Sequence, residues 1–102
     1  MVLEYTPHLE NRLKERRFPN DYPKKIFLKA EENYIDISQN SYIAIKKLWY
    51  AGKDQKIMIA YPIDKNSVKI ITIHPEKDSE INNRIKNGRW IKYEQNKKAI
   101  LR

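Results

Sequence analysis

The sequence predicts an α+β fold, in which two N-terminal helices pack on one face of a four-stranded antiparallel sheet and a short helix lies near the C-terminus. Apolar residues at helical spacing occur only near the start of the chain and again near its end. Between them lie four runs rich in β-branched and aromatic residues. Short turns containing Gly, Asn and Asp separate these runs, which favours an antiparallel meander.

The first two helices are predicted from their starts. The segment PHLENRLKERRF opens with Pro7, and proline suits the first turn of a helix. The segment YPKKIFLKAEEN follows a break at PNDYP, with Asp21 as the expected N-cap and Pro23 in the first turn. Both segments place apolar residues on one face, so both are expected to cover the sheet.

The four predicted strands are NYIDIS, SYIAIKKLWYA, KIMIAYPI and SVKIITIH. In the last strand Ile71 and Ile73 are expected to point into the helix-covered core, while Thr72 and His74 share the opposite face. Pro75 cannot continue the hydrogen-bonded ladder, so His74 is expected at the strand end.

A third helix is predicted within PEKDSEINNRIKNG, with Asp78 or Ser79 as its cap. Gly88 suits the left-handed position that ends a helix. The residues RWIKYE then form a final short strand or pack Trp90 onto the sheet.

The 102 residues predict one domain, 1–102, with a core of about residues 7–93. The absence of cysteine excludes a disulfide framework and thiolate metal or redox chemistry. Two distant histidines and no glycine-rich loop predict neither a metal site nor a cofactor. No signal peptide and no apolar run long enough to span a bilayer is evident, which favours a soluble cytoplasmic protein with no membrane contact.

The net charge of +8 favours a polyanionic partner, either nucleic acid or an assembly rich in it such as the ribosome. The alternative is a basic surface that serves only solubility. The charge is concentrated near the C-terminus, where Glu94 is the only acid among seven basic residues, namely Arg84, Lys86, Arg89, Lys92, Lys97, Lys98 and Arg102.

His74 and the arginines that follow it predict a site for cleaving RNA without a metal. An imidazole can take the proton of the ribose 2′-OH or protonate the leaving 5′ oxygen. Guanidinium groups hold phosphate through paired hydrogen bonds. The predicted catalytic residues are His74, Arg84, Arg89, Thr72 and Lys46. The alternative is a half-buried histidine bonded to the backbone, beside arginines on a solvated helix end.

A second group is predicted to bind nucleic acid, comprising His8, Arg12, Arg16, Tyr61 and Trp90. The first three recur at every fourth position of the first helix and so form one stripe. Such a stripe is also the usual solvent boundary of an amphipathic helix. The aromatic residues can hold an RNA base or simply pack in the core.

With its His-x-x-x-Arg-x-x-x-Arg helix (His8, Arg12, Arg16) and a meander ending in a histidine-bearing strand, the chain resembles a small bacterial and archaeal domain family. It is also similar to the barnase–EndoU–colicin–RelE superfamily, which includes RelE/ParE-like toxins. The resemblance covers about residues 7–93 and implies a metal-independent endoribonuclease. It further implies the toxin of a toxin–antitoxin pair, with an acidic antitoxin covering the basic face.

The alternative function is a non-catalytic basic module that binds RNA, the ribosome or gyrase as a ParE-like inhibitor does. RelE-like proteins cleave ribosome-bound mRNA, whereas ParE-like proteins act against gyrase, and the sequence leaves this choice open. Superfamily members share no fixed catalytic set, so the roles of His74 and Arg84 follow from their chemistry. A homodimer is a further expected assembly.

Overall fold

A computed structural model describes residues 2–64 and 66–94 of the chain. The helices are α1 (Pro7–Glu15), α2 (Tyr22–Lys29) and α3 (Asp78–Lys86). The strands are β1 (Val2–Tyr5), β2 (Glu32–Asp36), β3 (Ser41–Tyr50), β4 (Lys53–Pro62), β5 (Ser67–Ile70), β6 (Thr72–Pro75) and β7 (Trp90–Lys92). No helix within these described ranges is long and apolar enough to cross a membrane.

The sheet confirms the α+β class and corrects the number of strands. Five strands form an antiparallel sheet in the order β6-β4-β3-β2-β7, and β1 pairs in parallel with β5. The predicted fourth strand, SVKIITIH, is divided at Ile71 into β5 and β6. The fifth strand of the sheet is β7, from the RWIKYE segment, which pairs with β2.

The helix ends follow local chemistry. The Thr6 hydroxyl oxygen accepts a hydrogen bond from the backbone N–H of Leu9 at 3.2 Å, and Pro7 begins α1 as predicted. Asp21 occupies the N-cap position of α2, although its side chain makes no capping hydrogen bond. After α3, Gly88 adopts a φ of +82°, the left-handed conformation that the sequence predicts there.

The two faces of the sheet carry separate apolar clusters. Helices α1 and α2 lie together on one face, and their cluster with the sheet includes Leu9, Leu13, Ile26, Phe27, Ala44, Ile57, Ile59 and Ile73. Helix α3 covers part of the other face, where the cluster consists of Tyr34, Ile43, Ile45, Met58, Ile81 and Trp90. The sheet is therefore the middle of three layers, whereas the sequence predicted helices against one face.

The break at Ile71 decides which side chains of the last long strand reach the core. The backbone N–H of Ile71 donates to the carbonyl of Ala60 at 2.8 Å, outside the regular β5 and β6 pairing. Ile71 is consequently exposed, which corrects the prediction that it points into the core. Ile73 is buried as predicted. Thr72 and His74 lie opposite Ala60 and Met58, on the face that α3 partly covers.

Candidate active site

A pocket of about 260 Å³ opens on the α3 face of the sheet. Its floor is apolar and consists of Ile43, Met58 and Ala60, from the central strands β3 and β4. We call the part lined by Thr72, His74 and Arg84 the His74 end, and the part lined by Asp36, Gln39, Ser41 and Arg89 the Asp36 end. Each end has a buried carboxylate that pairs with an arginine.

The His74 ring is held through its Nδ1 atom. Nδ1 lies 3.0 Å from the carbonyl oxygen of Pro75 and 3.3 Å from Oε2 of Glu76. Both neighbours are hydrogen-bond acceptors, so Nδ1 carries the hydrogen and Nε2 holds the lone pair of the neutral ring. His74 is half-buried, so it is reachable from solvent. This arrangement leaves Nε2 as the basic atom of the site.

Glu76 is the buried charge beside His74. Its side chain is 1% exposed, and its backbone N–H donates to the carbonyl of Lys56 at 2.9 Å. Oε1 accepts a hydrogen bond from Nη1 of Arg84, whereas Oε2 makes no aligned hydrogen bond. Burial raises the pKa of Glu76, although the positive charges of Arg84 and His74 oppose that shift. The carboxylate is thus incompletely satisfied.

Arg84 connects the two ends of the pocket. Its guanidinium lies over the Trp90 ring, 4.8 Å from the ring centroid, while Nη1 donates to Glu76. A guanidinium has five N–H donors, so others remain for a ligand. The side chain is half-buried, which restricts its orientation.

At the Asp36 end the buried carboxylate is fully bonded. Arg89 donates from Nε to Oδ1 at 3.2 Å and from Nη2 to Oδ2 at 3.1 Å. Trp90 Nε1 donates to Oδ2 at 3.1 Å, and the backbone N–H of Gln39 donates to Oδ1 at 3.1 Å. Burial alone would raise the pKa of Asp36, but the hydrogen bonds from Arg89, Trp90 and Gln39 outweigh it and lower that pKa.

The structure brings five of the predicted site residues to one pocket, namely Thr72, His74, Arg84, Arg89 and Trp90. Only Arg84 shares an ion-pair network with His74, because Arg89 lies at the other end with Asp36. Trp90 is not available for an RNA base. Its ring is 2% exposed, with Tyr34 stacked at 5.3 Å between centroids and Arg84 over the ring.

Two other predicted residues lie away from the pocket. Lys46 points to the α1/α2 face, because it alternates with Ile45 of the α3-side cluster, and its Nζ lies 4.0 Å from Oε1 of Glu31. Tyr61 is buried in the α1/α2-side cluster, 5.5 Å from the ring of Phe27. Neither side chain can act together with His74 in this structure.

The basic stripe of α1 lies on the opposite side of the sheet from the pocket. His8 is exposed, and Arg12 pairs with Glu15 at 3.2 Å. Arg16 donates from Nη1 to the carbonyl of Ile73 at 2.9 Å, so it supports the strand that carries His74. Of the C-terminal basic group, Lys97, Lys98 and Arg102 lie outside the described residues.

Sequence reasoning missed Glu76, Asp36 and Gln39. Glu76 directly follows the His-Pro pair that ends the strand, and an acid so near a candidate histidine is a usable signal. Asp36 occupies an alternating position of NYIDIS that faces the same way as Tyr34. Within residues 2–64 and 66–94 no cluster of three or more His, Asp or Glu side chains could hold a metal ion.

Comparison of the chain with protein-family models, curated proteins and solved structures gave no match.

Proposed function

We propose that this protein is a metal-independent endoribonuclease in which His74 is the acid–base group. The observation that carries the proposal is the ring of His74, whose Nδ1 is held between the Pro75 carbonyl and Glu76 at a pocket lined also by Thr72 and Arg84. A histidine with one nitrogen fixed and the other basic is the arrangement that general base catalysis requires.

In the proposed reaction Nε2 of His74 accepts the proton of a ribose 2′-OH. The 2′ oxygen attacks the adjacent phosphorus and the bond from phosphorus to the 5′ oxygen breaks. A water molecule protonates the leaving oxygen, and the imidazolium then loses its proton to solvent. The products are a 2′,3′-cyclic phosphate and a 5′-hydroxyl. The negative charge of Glu76 stabilises the imidazolium that forms during the reaction.

The other groups at the pocket have binding roles. The free N–H groups of Arg84 hydrogen-bond the scissile phosphate and offset the charge that develops on it. The Thr72 hydroxyl donates a further hydrogen bond to a phosphate oxygen. Arg89, at the Asp36 end, contacts a neighbouring phosphate of the strand through its remaining N–H donors, on Nη1 and Nη2. The net charge of +8 favours encounter with RNA.

The wider proposal is that the nuclease is the cytoplasmic toxin of a toxin–antitoxin pair. It rests on the resemblance to RelE/ParE-like proteins and on the basic charge, which suits an acidic antitoxin as partner. Its RNA would be free or ribosome-bound mRNA, and a homodimer belongs to the same proposal.

A second candidate function is a non-catalytic module that binds RNA, the ribosome or gyrase. Both arginines of the pocket are already paired, Arg84 with Glu76 and Arg89 with Asp36, which lowers the positive charge that a phosphate would meet. A surface of this kind can bind a partner without cleaving it.

The test is the variant His74→Ala, assayed on end-labelled RNA in the presence of EDTA. We expect the wild type to leave 2′,3′-cyclic phosphate ends and the variant to lose roughly 10²- to 10⁴-fold in rate, the usual contribution of general acid–base catalysis. His8→Ala is the matched control for the chemical step, because His8 lies on α1, on the opposite side of the sheet from the pocket. Far-UV circular dichroism checks that both variants fold.

Two outcomes would contradict the nuclease. A folded His74→Ala variant that cleaves at the wild-type rate would remove His74 from the mechanism. Tight, salt-sensitive binding of RNA by the wild type with no cleavage would favour the binding module instead.

A further inference from the structure

We infer that the Asp36 end of the pocket binds one nucleobase of the RNA and that the side-chain carboxamide of Gln39 reads the edge of that base. The inference rests on the proposed function for the class of substrate, and it adds to it the origin of sequence preference. It is carried by four observations: a fixed backbone, an unused side chain, an apolar floor and the span of the pocket.

The backbone of Gln39 is held on both sides. Its N–H donates to Oδ1 of Asp36 at 3.1 Å, and its carbonyl accepts a hydrogen bond from the Ser41 hydroxyl at 3.1 Å. Asp36 is itself fixed by Arg89 and by Trp90 Nε1. These hydrogen bonds position the backbone of Gln39 beside the pocket, and such second-layer support is what a specificity residue needs.

The carboxamide of Gln39 is unused. It lines the pocket and makes no hydrogen bond with any of the residues that the structure describes. A primary amide presents one donor group beside one acceptor, and the Watson–Crick edges of the nucleobases present donors and acceptors in the same adjacent manner. Gln recognises adenine in DNA by a bidentate pair of this kind, there with N6 and N7, and unstacked RNA bases also offer their Watson–Crick edges to such a pair.

The floor beside Gln39 suits the flat face of a base. Ile43 and Ala60 lie opposite each other on β3 and β4, and Met58 extends the same surface toward His74. The volume of the whole pocket, about 260 Å³, is just below the usual range for sites of drug-sized ligands, which fits one nucleotide better than a larger group.

The span of the pocket corresponds to one nucleotide. His74 on β6 lies opposite Met58 of β4, and Ser41 of β3, whose hydroxyl bonds Gln39, lies opposite Pro62 of β4. His74 and Ser41 are therefore four residues apart along the strand direction and two strands apart across the sheet. Strand spacing then gives a separation of roughly 16 Å between their backbones. The side chains that enter from both ends shorten this gap, so a nucleotide can place its phosphate at His74 and its base at Gln39.

The experiment compares Gln39→Ala and Gln39→Glu with the wild type on a complete set of dinucleoside monophosphates. We expect the wild type to prefer one base at one position. Gln39→Ala should reduce that preference by roughly 5- to 150-fold, the worth of a bidentate base contact. Glutamate has acceptors only, so Gln39→Glu should move the preference toward guanine, whose Watson–Crick edge presents two adjacent N–H donors. Ser38→Ala is the control, because Ser38 is exposed and does not line the pocket.

Binding is measured in parallel on analogues that lack the attacking 2′-OH, which keeps the two proposals apart. If binding of the analogues shows a base preference that Gln39→Glu changes, while no substrate is cleaved, the base site is supported and the nuclease proposal is wrong. If His74→Ala abolishes cleavage but both Gln39 variants keep the wild-type preference, the nuclease stands and the base site is overturned. A wild type without base preference in either assay also overturns it.

Discussion

Each end of the pocket pairs a buried carboxylate with an arginine, yet the pKa values of the two carboxylates shift in opposite directions. Asp36 accepts hydrogen bonds from Arg89, Trp90 and the Gln39 backbone, and these lower its pKa despite burial. Among the described residues only Arg84 donates a hydrogen bond to Glu76 and Oε2 has no partner, and burial raises the pKa of Glu76. An arginine partner alone therefore does not decide the direction of the pKa shift, because Asp36 also accepts hydrogen bonds from Trp90 and the Gln39 backbone, whereas the negative charge of Glu80 adds to the burial of Glu76.

The difference suits the roles of the two carboxylates in the proposed reaction, in which Asp36 is structural and Glu76 acts on His74. The Asp36 network joins β2 to the residues that enter β7, and its charge is fully compensated. Oε2 of Glu76 has no hydrogen-bond partner among the described residues and lies 3.3 Å from Nδ1 of His74. Ionisable groups with raised or lowered pKa values are concentrated at functional sites, and the direction of the shift helps to assign the role of each.

Removal of Arg84, at the His74 end of the pocket, should have the largest effect on stability. Arg84→Met keeps apolar contact with Trp90 but leaves Glu76 buried without its main counter-charge. At neutral pH we expect the free energy of unfolding to fall by about 3–5 kcal/mol, the usual cost of breaking a buried pair. Urea unfolding followed by circular dichroism measures it.

The pH dependence of the Arg84→Met loss shows whether the unpaired charge of Glu76 causes it. The pKa of Glu76 is raised in the folded state, and loss of Arg84 raises it further, so acidification neutralises the carboxyl and the variant recovers stability relative to wild type as the pH falls. Adding Glu76→Gln to Arg84→Met should restore most of the loss at neutral pH. A loss of the same size at every pH would show that Arg84 acts only through packing.

At the Asp36 end the expected effect is smaller and its pH window is different. Asp36→Asn weakens the charge-assisted bonds from Arg89, and we expect a loss of about 2 kcal/mol at neutral pH. The folded-state pKa of Asp36 is lowered, so the stability it contributes is present above the unfolded pKa and is lost as pH falls through the lower folded value.

The Asp36→Asn deficit should therefore stay constant around neutral pH and shrink only in strong acid. Asp21→Asn is the matched control, because the Asp21 carboxylate is exposed at 3.5 Å from Lys25 and such pairs contribute little. If Asp36→Asn loses its deficit in the mildly acidic range where Arg84→Met recovers, the two ends do not differ as described.

What could be predicted from the sequence was local. Pro7 at the start of α1 and Gly88 after α3 act through their own backbone conformations, so they report helix ends directly. The parallel pairing of β1 with β5 joins residues as distant as Val2 and Ser67, and no local pattern signals it. The division of the last strand at Ile71 separates β5, which pairs with β1, from β6, which pairs with β4, and no local pattern signals it either.

The candidate site was likewise predictable from the sequence only where the signal was local. Strand alternation was sufficient to place Thr72 with His74, and the helix that follows brought Arg84 to them. Alternation also separates Lys46 from Lys47, but it does not say which face α3 will cover, and the structure places Lys46 on the face away from His74. Asp36 was missed because its partner Arg89 is 53 residues away and only the fold brings the two together.

The last prediction has the smallest expected effect on stability and tests the comparison most sharply. Glu76→Gln replaces the carboxyl with a neutral group of the same shape. Because the fold raises the pKa of Glu76, it does not favour the charged form, and the free energy of unfolding should change by less than about 1 kcal/mol. Wild-type stability falls as pH rises through the folded pKa, so the variant should gain stability relative to wild type with rising pH.

The catalytic rate of Glu76→Gln should fall, because the imidazolium of His74 loses the negative charge beside it. Cleavage of a dinucleotide should slow in kcat more than it changes in KM. A Glu76→Gln variant as unstable as Asp36→Asn, with an unaltered kcat, would mean that both carboxylates are structural.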